Sequence, residues 1–136
     1  RRVVAAREFL NEYGPVSHPK DLEKMKWIGL TMRPNTRSFK HKESDEEVVI
    51  KYSPYITVDN VEASYRLALL KAGLAAPPNY LSDEGLRSKE IEAVLPEWTL
   101  SPLKVYAVWP PNVSTSSIAY TLINTIYKSI SSRPLG

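Results

Sequence analysis

The sequence contains no cysteine, and none of its apolar runs approaches the roughly 20 residues that a membrane-spanning helix needs. Without thiols, disulfides, thiolate metal ligands and a cysteine nucleophile are excluded, and a cytoplasmic location is expected. A signal peptide is not expected at the start, because Arg7 and Glu8 follow only a few apolar residues. A chain of 136 residues is long enough for one domain with a modest core.

Acidic residues are absent after Glu97. Residues 1–97 contain fifteen lysines and arginines and fifteen aspartates and glutamates, so this stretch is neutral. Beyond it only Lys104, Lys128 and Arg133 are charged. DNA-binding modules usually cluster their basic residues on one face or one helix. Three scattered cations do not form such a patch, so the chain itself is not expected to bind DNA.

Residues suited to catalysis are also scarce. The two histidines are His18, which precedes a proline, and His41, which lies between two lysines, so solvated polar roles are favoured over a general base or metal ligand. The serines at 114, 116 and 117 lack the flanking glycines of a nucleophile elbow and are more typical of a loop and helix cap. The five glycines form no phosphate-binding cluster. We therefore expect no catalytic residue, no metal, no cofactor and no enzymatic activity.

The pattern of apolar residues predicts strands that alternate with helices. We predict strands at residues 2–6, 26–30, 36–41, 46–52, 55–58, 91–95 and 103–109. We predict helices at residues 8–13, 20–25, 60–72, 78–86 and 116–131. Ser17 or His18 is expected to cap the second helix, and Asp59 the third, with Glu62 completing a capping box. This alternation indicates an α/β fold with a mostly parallel sheet, which a hairpin at 36–52 makes mixed.

Short motifs follow one another along nearly the whole chain. They are Arg2-Val3-Val4-Ala5-Ala6, Phe9-Leu10, Gly14-Pro15, His18-Pro19-Lys20-Asp21-Leu22, Val58-Asp59-Asn60, Lys71-Ala72-Gly73-Leu74-Ala75-Ala76-Pro77-Pro78, Val94-Leu95-Pro96-Glu97-Trp98 and Val105-Tyr106-Ala107-Val108-Trp109-Pro110. In order and spacing this series resembles the second half of the effector-binding domain of LysR-type transcriptional regulators. Two departures are Lys71, where the family commonly has a glycine, and the pair Asp59-Asn60, which reverses the usual order.

The resemblance implies a fold like that of type 2 periplasmic binding proteins. In that fold two α/β lobes are joined by two crossing strands, and a small effector binds between the lobes. Residues 1–6 would be one crossover strand, 7–104 the second lobe, and 105–136 the return crossover and a carboxy-terminal helix of the first lobe. The chain would thus be a fragment, lacking most of the first lobe as well as the winged helix-turn-helix and linker helix.

The resemblance also implies partners. These are a small-molecule effector, with an organic anion as one candidate, and further copies of the chain in a homodimer or homotetramer. DNA would be bound only through the missing domain, and no membrane is involved. The last helix has an apolar stripe, which we expect to meet a neighbouring chain or the missing lobe. The stripe consists of Ala119, Leu122, Ile123, Ile126, Tyr127 and Ile130.

Ligands in such folds bind at strand carboxyl ends and helix amino-terminal ends, where unpaired amides and the helix dipole favour anionic groups. The matching positions here are Thr31, Met32, Arg33, Asp59, Asn60 and Val61. Thr31 and Asn60 are expected to hydrogen-bond the effector, Met32 and Val61 to line it, and Arg33 to pair with a carboxylate. The alternative is that Asp59 is only a cap and Arg33 only a surface residue.

Two other classes of protein are alternatives to an effector-sensing domain of a LysR-type regulator. A fragment of an extracytoplasmic solute-binding protein would share the fold, and the sequence upstream of Arg1 would distinguish the two. A small hydrolase would require a histidine buried beside a serine.

Overall fold

The computed structural model describes residues 1–102, 106, 108, 114 and 117–131. For residues 130 and 131 it describes the backbone and not the side chains. The chain divides into two compact units, Arg1–Pro102 and Leu103–Gly136, which are described separately. The predicted strand at 103–109 lies outside the described residues except at positions 106 and 108.

The first unit contains seven strands, three α-helices and one 3₁₀ helix. The strands are β1 Val3–Ala5, β2 Trp27–Leu30, β3 Thr36–His41, β4 Glu47–Lys51, β5 Pro54–Val58, β6 Glu92–Val94 and β7 Trp98–Leu100. The α-helices are α1 Arg7–Asn11, α2 Val61–Leu69 and α3 Asn79–Ser88, and the 3₁₀ helix is Pro19–Lys24. The predicted elements of this unit are confirmed with shifted ends, whereas β7 was not predicted.

The sheets are mixed, as expected. β2 pairs with β5 in parallel, whereas β1 pairs antiparallel with β6, and β3 lies antiparallel between β4 and β7. Within the described residues β2 and β5 are the one pair of strands that run parallel, and Trp27 forms an isolated parallel bridge with Leu74. The expectation of a mostly parallel sheet is therefore wrong, because three of the four strand pairs are antiparallel. The segment Leu74-Ala75 ties two of these sheets together, because Ile28 donates to the Leu74 carbonyl and Val4 to the Ala75 carbonyl.

The core is built around Trp27, which is completely buried on β2. Its indole Nε1 donates to the Leu22 carbonyl at 2.7 Å, and its ring stacks on Tyr52 with centroids 4.3 Å apart. Phe39 and Ile50, on the buried face of the hairpin, belong to the same cluster. A buried Trp satisfies its N–H in this way because an unpaired donor in the core is costly.

The 3₁₀ helix begins at a reciprocal cap. The His18 Nδ1 accepts the N–H of Lys20 at 3.2 Å, so His18 rather than Ser17 is the cap. The Asp21 carboxylate in turn accepts the N–H groups of His18 and Ser17 at 2.9 and 3.1 Å. These bonds satisfy amides that the helix itself leaves without acceptors.

Helix α2 ends at Leu69, earlier than the predicted end at residue 72. Lys71 adopts a left-handed conformation with φ of 64°, and the N–H groups of Lys71 and Ala72 donate to the Ala68 and Leu67 carbonyls. This is a Schellman termination, in which the left-handed residue is usually glycine. Gly73 serves a different purpose: a Cβ there would lie 2.7 Å from the Lys26 carbonyl oxygen.

The second unit contains helix α4, Ile118–Ser131. Ser117 precedes it, and its Oγ accepts the N–H of Tyr120 at 3.1 Å, which agrees with the predicted capping role. Leu122 and Ile126 on the apolar stripe are 57% and 48% exposed. No helix among the described residues has the length and apolar content that crossing a bilayer requires.

Candidate functional site

The parallel pair β2–β5 brings the two predicted ligand-binding segments together. Leu30 pairs with Val58, and the N–H of Thr31 donates to the Val58 carbonyl at 2.9 Å. Parallel strands end at the same edge, so the turn at residues 31–33 lies beside residues 59–61 at the start of α2. We call this edge the β2–β5 edge.

Asn60, and not Asp59, caps helix α2, which corrects the predicted cap. The Asn60 Oδ1 accepts the N–H groups of Glu62 and Ala63 at 2.8 and 3.1 Å. The helix starts one residue later than expected, so Glu62 lies one position too early to complete a capping box. The Asn60 Oδ1 is therefore occupied, which leaves its Nδ2 as the group that can donate to a ligand.

The other predicted residues at this edge differ in exposure. Thr31 and Asp59 are exposed, Arg33 and Val61 are half-buried, and Met32 is 63% exposed. The turn is closed by the N–H of Arg33, which donates to the Leu30 carbonyl at 3.0 Å. The edge therefore combines a hydroxyl, a guanidinium, a carboxylate and two apolar side chains.

Arg37 is a residue of this region that the sequence analysis missed. It is only 7% exposed, and its Nη1 donates to the carbonyls of Pro34 and Thr36 at 2.8 and 2.7 Å. These bonds brace the loop that follows β2. A signal for it was present, because period-two alternation back from the inward-facing Phe39 places position 37 on the same buried face.

Arg37 lies against aromatic rings. Its guanidinium carbon lies 5.1 Å from the Tyr52 ring centroid and 5.9 Å from that of Trp27. Burial lowers the pKa of Arg37, and burial raises the pKa of Tyr52. Burial, followed by the positive charges of Arg33 and Arg37, lowers the pKa of the Arg1 guanidinium to about 10. The loop after β2 therefore lies in a region of concentrated positive charge.

The two histidines are not simply solvated, which corrects the sequence-based interpretation. Both rings pack edge-on against Trp98, with centroids 5.5 Å away for His18 and 4.9 Å for His41. Trp98 lies on β7, the strand that was not predicted, so its pairing with β3 could not be anticipated. Within the described residues, no group of histidine and carboxylate side chains has the geometry to hold a metal ion.

His41 does lie beside a serine, but not in the arrangement a hydrolase needs. The Ser44 Oγ is 3.0 Å from the His41 Nδ1, which also accepts the N–H groups of Ser44 and Glu43 at 3.2 and 3.4 Å. His41 is half-buried, and Ser44 is exposed in the hairpin turn. The imidazole accepts the amides of its own turn, so the condition of a histidine buried beside a serine is not met.

The first unit is an α/β lobe in which two parallel strands end beside a capped helix. The chain belongs to the LysR substrate-binding domain family, whose model matches residues 1–129. This confirms the family predicted from the sequence motifs, and it favours a regulator over the solute-binding protein that was the alternative.

Two curated relatives are transcriptional regulators. The probable HTH-type regulator SinR of Salmonella typhimurium is 26% identical over 135 residues, which cover 97% of this chain and 43% of SinR. The HTH-type regulator PtxR of Pseudomonas aeruginosa is 28% identical over 107 residues, covering 79% of this chain and 34% of PtxR. The chain thus spans less than half the length of these relatives.

Solved structures confirm the fold. The regulatory domain of AphB in Vibrio vulnificus has a TM-score of 0.66 at 16% identity, over 74% of this chain and 50% of that chain. CrgA, a LysR-type transcriptional regulator from Neisseria meningitidis, has a TM-score of 0.60 at 22% identity, over 71% of this chain and 32% of CrgA. The predicted α/β fold of LysR regulatory domains is therefore confirmed.

Proposed function

We propose that this chain senses a small-molecule effector on behalf of a LysR-type transcriptional regulator, and that the effector binds at the β2–β5 edge. The observation that carries the proposal is the parallel register of β2 and β5, which joins Thr31 directly to Val58. Two segments far apart in the sequence thereby present their polar groups at one edge.

The proposed contacts use groups that face this edge. The hydroxyl of Thr31 and the Nδ2 of Asn60 donate to the effector, and Arg33 pairs with an anionic part of it. Met32 and Val61 cover its apolar part. Asp59 is exposed and can accept a hydrogen bond from a hydroxyl or amine of the effector.

In this proposal the protein is a regulator and not an enzyme. DNA is bound by a winged helix-turn-helix outside this chain, in a cytoplasmic homodimer or homotetramer. Residues 7–104 form the second lobe, residues 1–6 and 105–109 the crossovers, and the apolar stripe of α4 packs on the first lobe or on a neighbouring chain. The relatives named as HTH-type transcriptional regulators support this assignment.

The test replaces the Asn60 donor and leaves the helix cap intact. Asn60→Asp keeps an oxygen that accepts the N–H groups of Glu62 and Ala63, but it replaces Nδ2 with an acceptor. In the full-length protein that contains this chain, we expect this variant to remain folded and to lose at least tenfold in effector sensitivity, because one donor becomes a repelling acceptor. A transcriptional reporter titrated with effector measures the change.

The matched control is Glu62→Gln, which changes one charge on the exposed part of the same helix turn without touching the cap oxygen. Its response should equal that of the unmodified protein. An unchanged effector response in Asn60→Asp would remove Asn60 from the site.

A further inference from the structure

Strand β4 lies at the edge of its sheet. The sheet has the strand order β4-β3-β7, so within the described part of the chain one side of β4 has no neighbouring strand. Glu47, Val49 and Lys51 are exposed, and Val49 is 67% exposed. An edge strand presents N–H and C=O groups with which a strand of another chain can pair. We call the outward side of residues 47–51 the β4 edge.

The hydrogen bonds of the hairpin show which backbone groups the β4 edge presents. His41 donates to the Glu46 carbonyl at 2.8 Å, and Tyr52 donates to the Asn35 carbonyl at 3.1 Å. In an antiparallel pair, the residues that exchange hydrogen bonds recur at every second position. The even-numbered residues of β4 therefore bond to β3, and the N–H groups of its odd-numbered residues point away from β3.

The exposed side chains of the β4 edge are complementary in charge to a second copy of themselves. Glu47 and Lys51 lie at equal distances along the sequence on either side of Val49. When two copies of β4 align antiparallel with Val49 opposite Val49, each Glu47 lies opposite the Lys51 of the other copy. In this register the outward N–H groups of both copies meet outward carbonyls. Opposite charges that face each other across two strands stabilise the pair, and like charges destabilise it.

Neither charged side chain of the β4 edge forms an ion pair among the described residues. Lys40 lies opposite Glu47 in the hairpin, but its ammonium pairs with Asp45 at 2.8 Å. Lys51 lies opposite Thr36, which carries no charge. Both side chains can therefore form ion pairs with another copy without breaking one within the chain.

We propose that two copies of this chain associate through the β4 edge, with the two strands antiparallel and centred on Val49. Their sheets then form one continuous sheet. The contact has two-fold symmetry, because each copy contributes the same residues in the same roles. The inference goes beyond the proposed function, since it requires neither an effector nor the residues of the β2–β5 edge. The effector test at Asn60 can therefore succeed or fail independently of it.

One hydrogen bond of the single chain is exchanged in this pairing. The N–H of Lys51 donates to the Oε1 of Glu23 at 3.2 Å, which also shows that this N–H points outward. In the paired copies the Glu47 carbonyl of the other copy takes the place of that carboxylate oxygen. Glu23 is exposed, so its carboxylate can return to water when the bond is exchanged.

The alternative is a protected edge, in which the charges and Glu23 prevent pairing. Charge reversals in the chain of residues 1–136 distinguish the two, with sedimentation equilibrium as the measurement. Because a short strand pair buries little area, we expect a dissociation constant of about 0.1–1 mM for the parent chain. Glu47→Lys and Lys51→Glu should each weaken the association at least fivefold, since like charges then face each other. An equal mixture of the two variants should restore it, because every lysine again lies opposite a glutamate.

Two further variants serve as controls. Glu84→Lys makes the same charge change at an exposed position of α3 and should associate like the parent. Val49→Pro removes the central outward N–H and no bond of the hairpin, so it should abolish association. Slow amide exchange at Val48 and Ile50 in this variant would show that the hairpin is intact.

Three results would refute the contact. The first is a parent chain that remains monomeric at about 2 mM. The second is reversal variants that associate like the parent, which would indicate another surface such as the apolar stripe of α4. The third is a mixture of the reversal variants that associates no more strongly than either variant alone.

Discussion

The side chain of Asn60 caps helix α2, a structural role that is separate from its proposed contact with the effector. Its Oδ1 satisfies the N–H groups of Glu62 and Ala63. Asn60→Ala should therefore lower the free energy of unfolding by about 1 kcal/mol. Asp59→Ala should cost only about 0.3–0.5 kcal/mol, from its charge near the helix dipole. Urea unfolding of both variants measures the difference, and a larger loss at Asp59 would restore the original cap assignment.

Asp21 makes the stability of the chain depend on pH. The N–H groups of His18 and then Ser17 lower the pKa of its carboxyl below the usual 3.8. A depressed pKa in the folded state contributes stability that is present above the unfolded value and lost as the pH falls through the folded value. Asp21→Asn should therefore reduce stability at pH 7, and the difference from the parent chain should shrink below about pH 4. A difference that stays constant down to about pH 2.5 would contradict this.

At the scale of elements, the turn that ends α2 places a lysine in a backbone conformation that favours glycine. Lys71 has a φ of 64°, a region that costs residues with a Cβ about 1–2 kcal/mol. Lys71→Gly should raise the free energy of unfolding by about 0.5–1 kcal/mol, less a few tenths for the exposed ion pair with Glu8.

Lys71→Ala is the control, because it loses the ion pair but keeps a Cβ. Thermal and urea unfolding should show no gain for alanine. A gain of equal size in both variants would mean that the lysine charge, and not the backbone, limits stability at this helix end.

The sequence patterns predicted the hairpin strands and did not predict β7. Period-two alternation predicted the hairpin β3–β4 and the buried Phe39, since one face of that hairpin is in the core. β7 was not predicted: its three residues, Trp98-Thr99-Leu100, follow a proline without a longer apolar run, and they form a strand by pairing with β3. The same pairing brings Trp98 to His41.

At the scale of the whole molecule, the distribution of charge along the chain predicts whether the chain binds DNA. Residues 1–97 are neutral and the described helices form no basic face with the composition of a recognition helix. The chain alone should therefore not bind operator DNA specifically, because phosphate contacts from clustered lysines and arginines supply most of such affinity. An electrophoretic shift of a specific duplex at physiological salt by residues 1–136 would contradict this prediction, and the full-length protein is the positive control.

The sequence by itself determined the family, the order of most elements and the six residues proposed for the effector site. Those inferences depend on local signals, namely motif order, apolar periodicity and capping residues, which act between residues close in the chain. The cap of α2 is set by the residue at which the helix starts after β5. That starting point depends on the pairing of β5 with β2. Only the tertiary structure showed that Arg37 is buried and lies against Tyr52 and Trp27. Charged residues are normally exposed, so the sequence predicts an exposed Arg37. Arg37 is buried instead, because it packs against Trp27 and Tyr52.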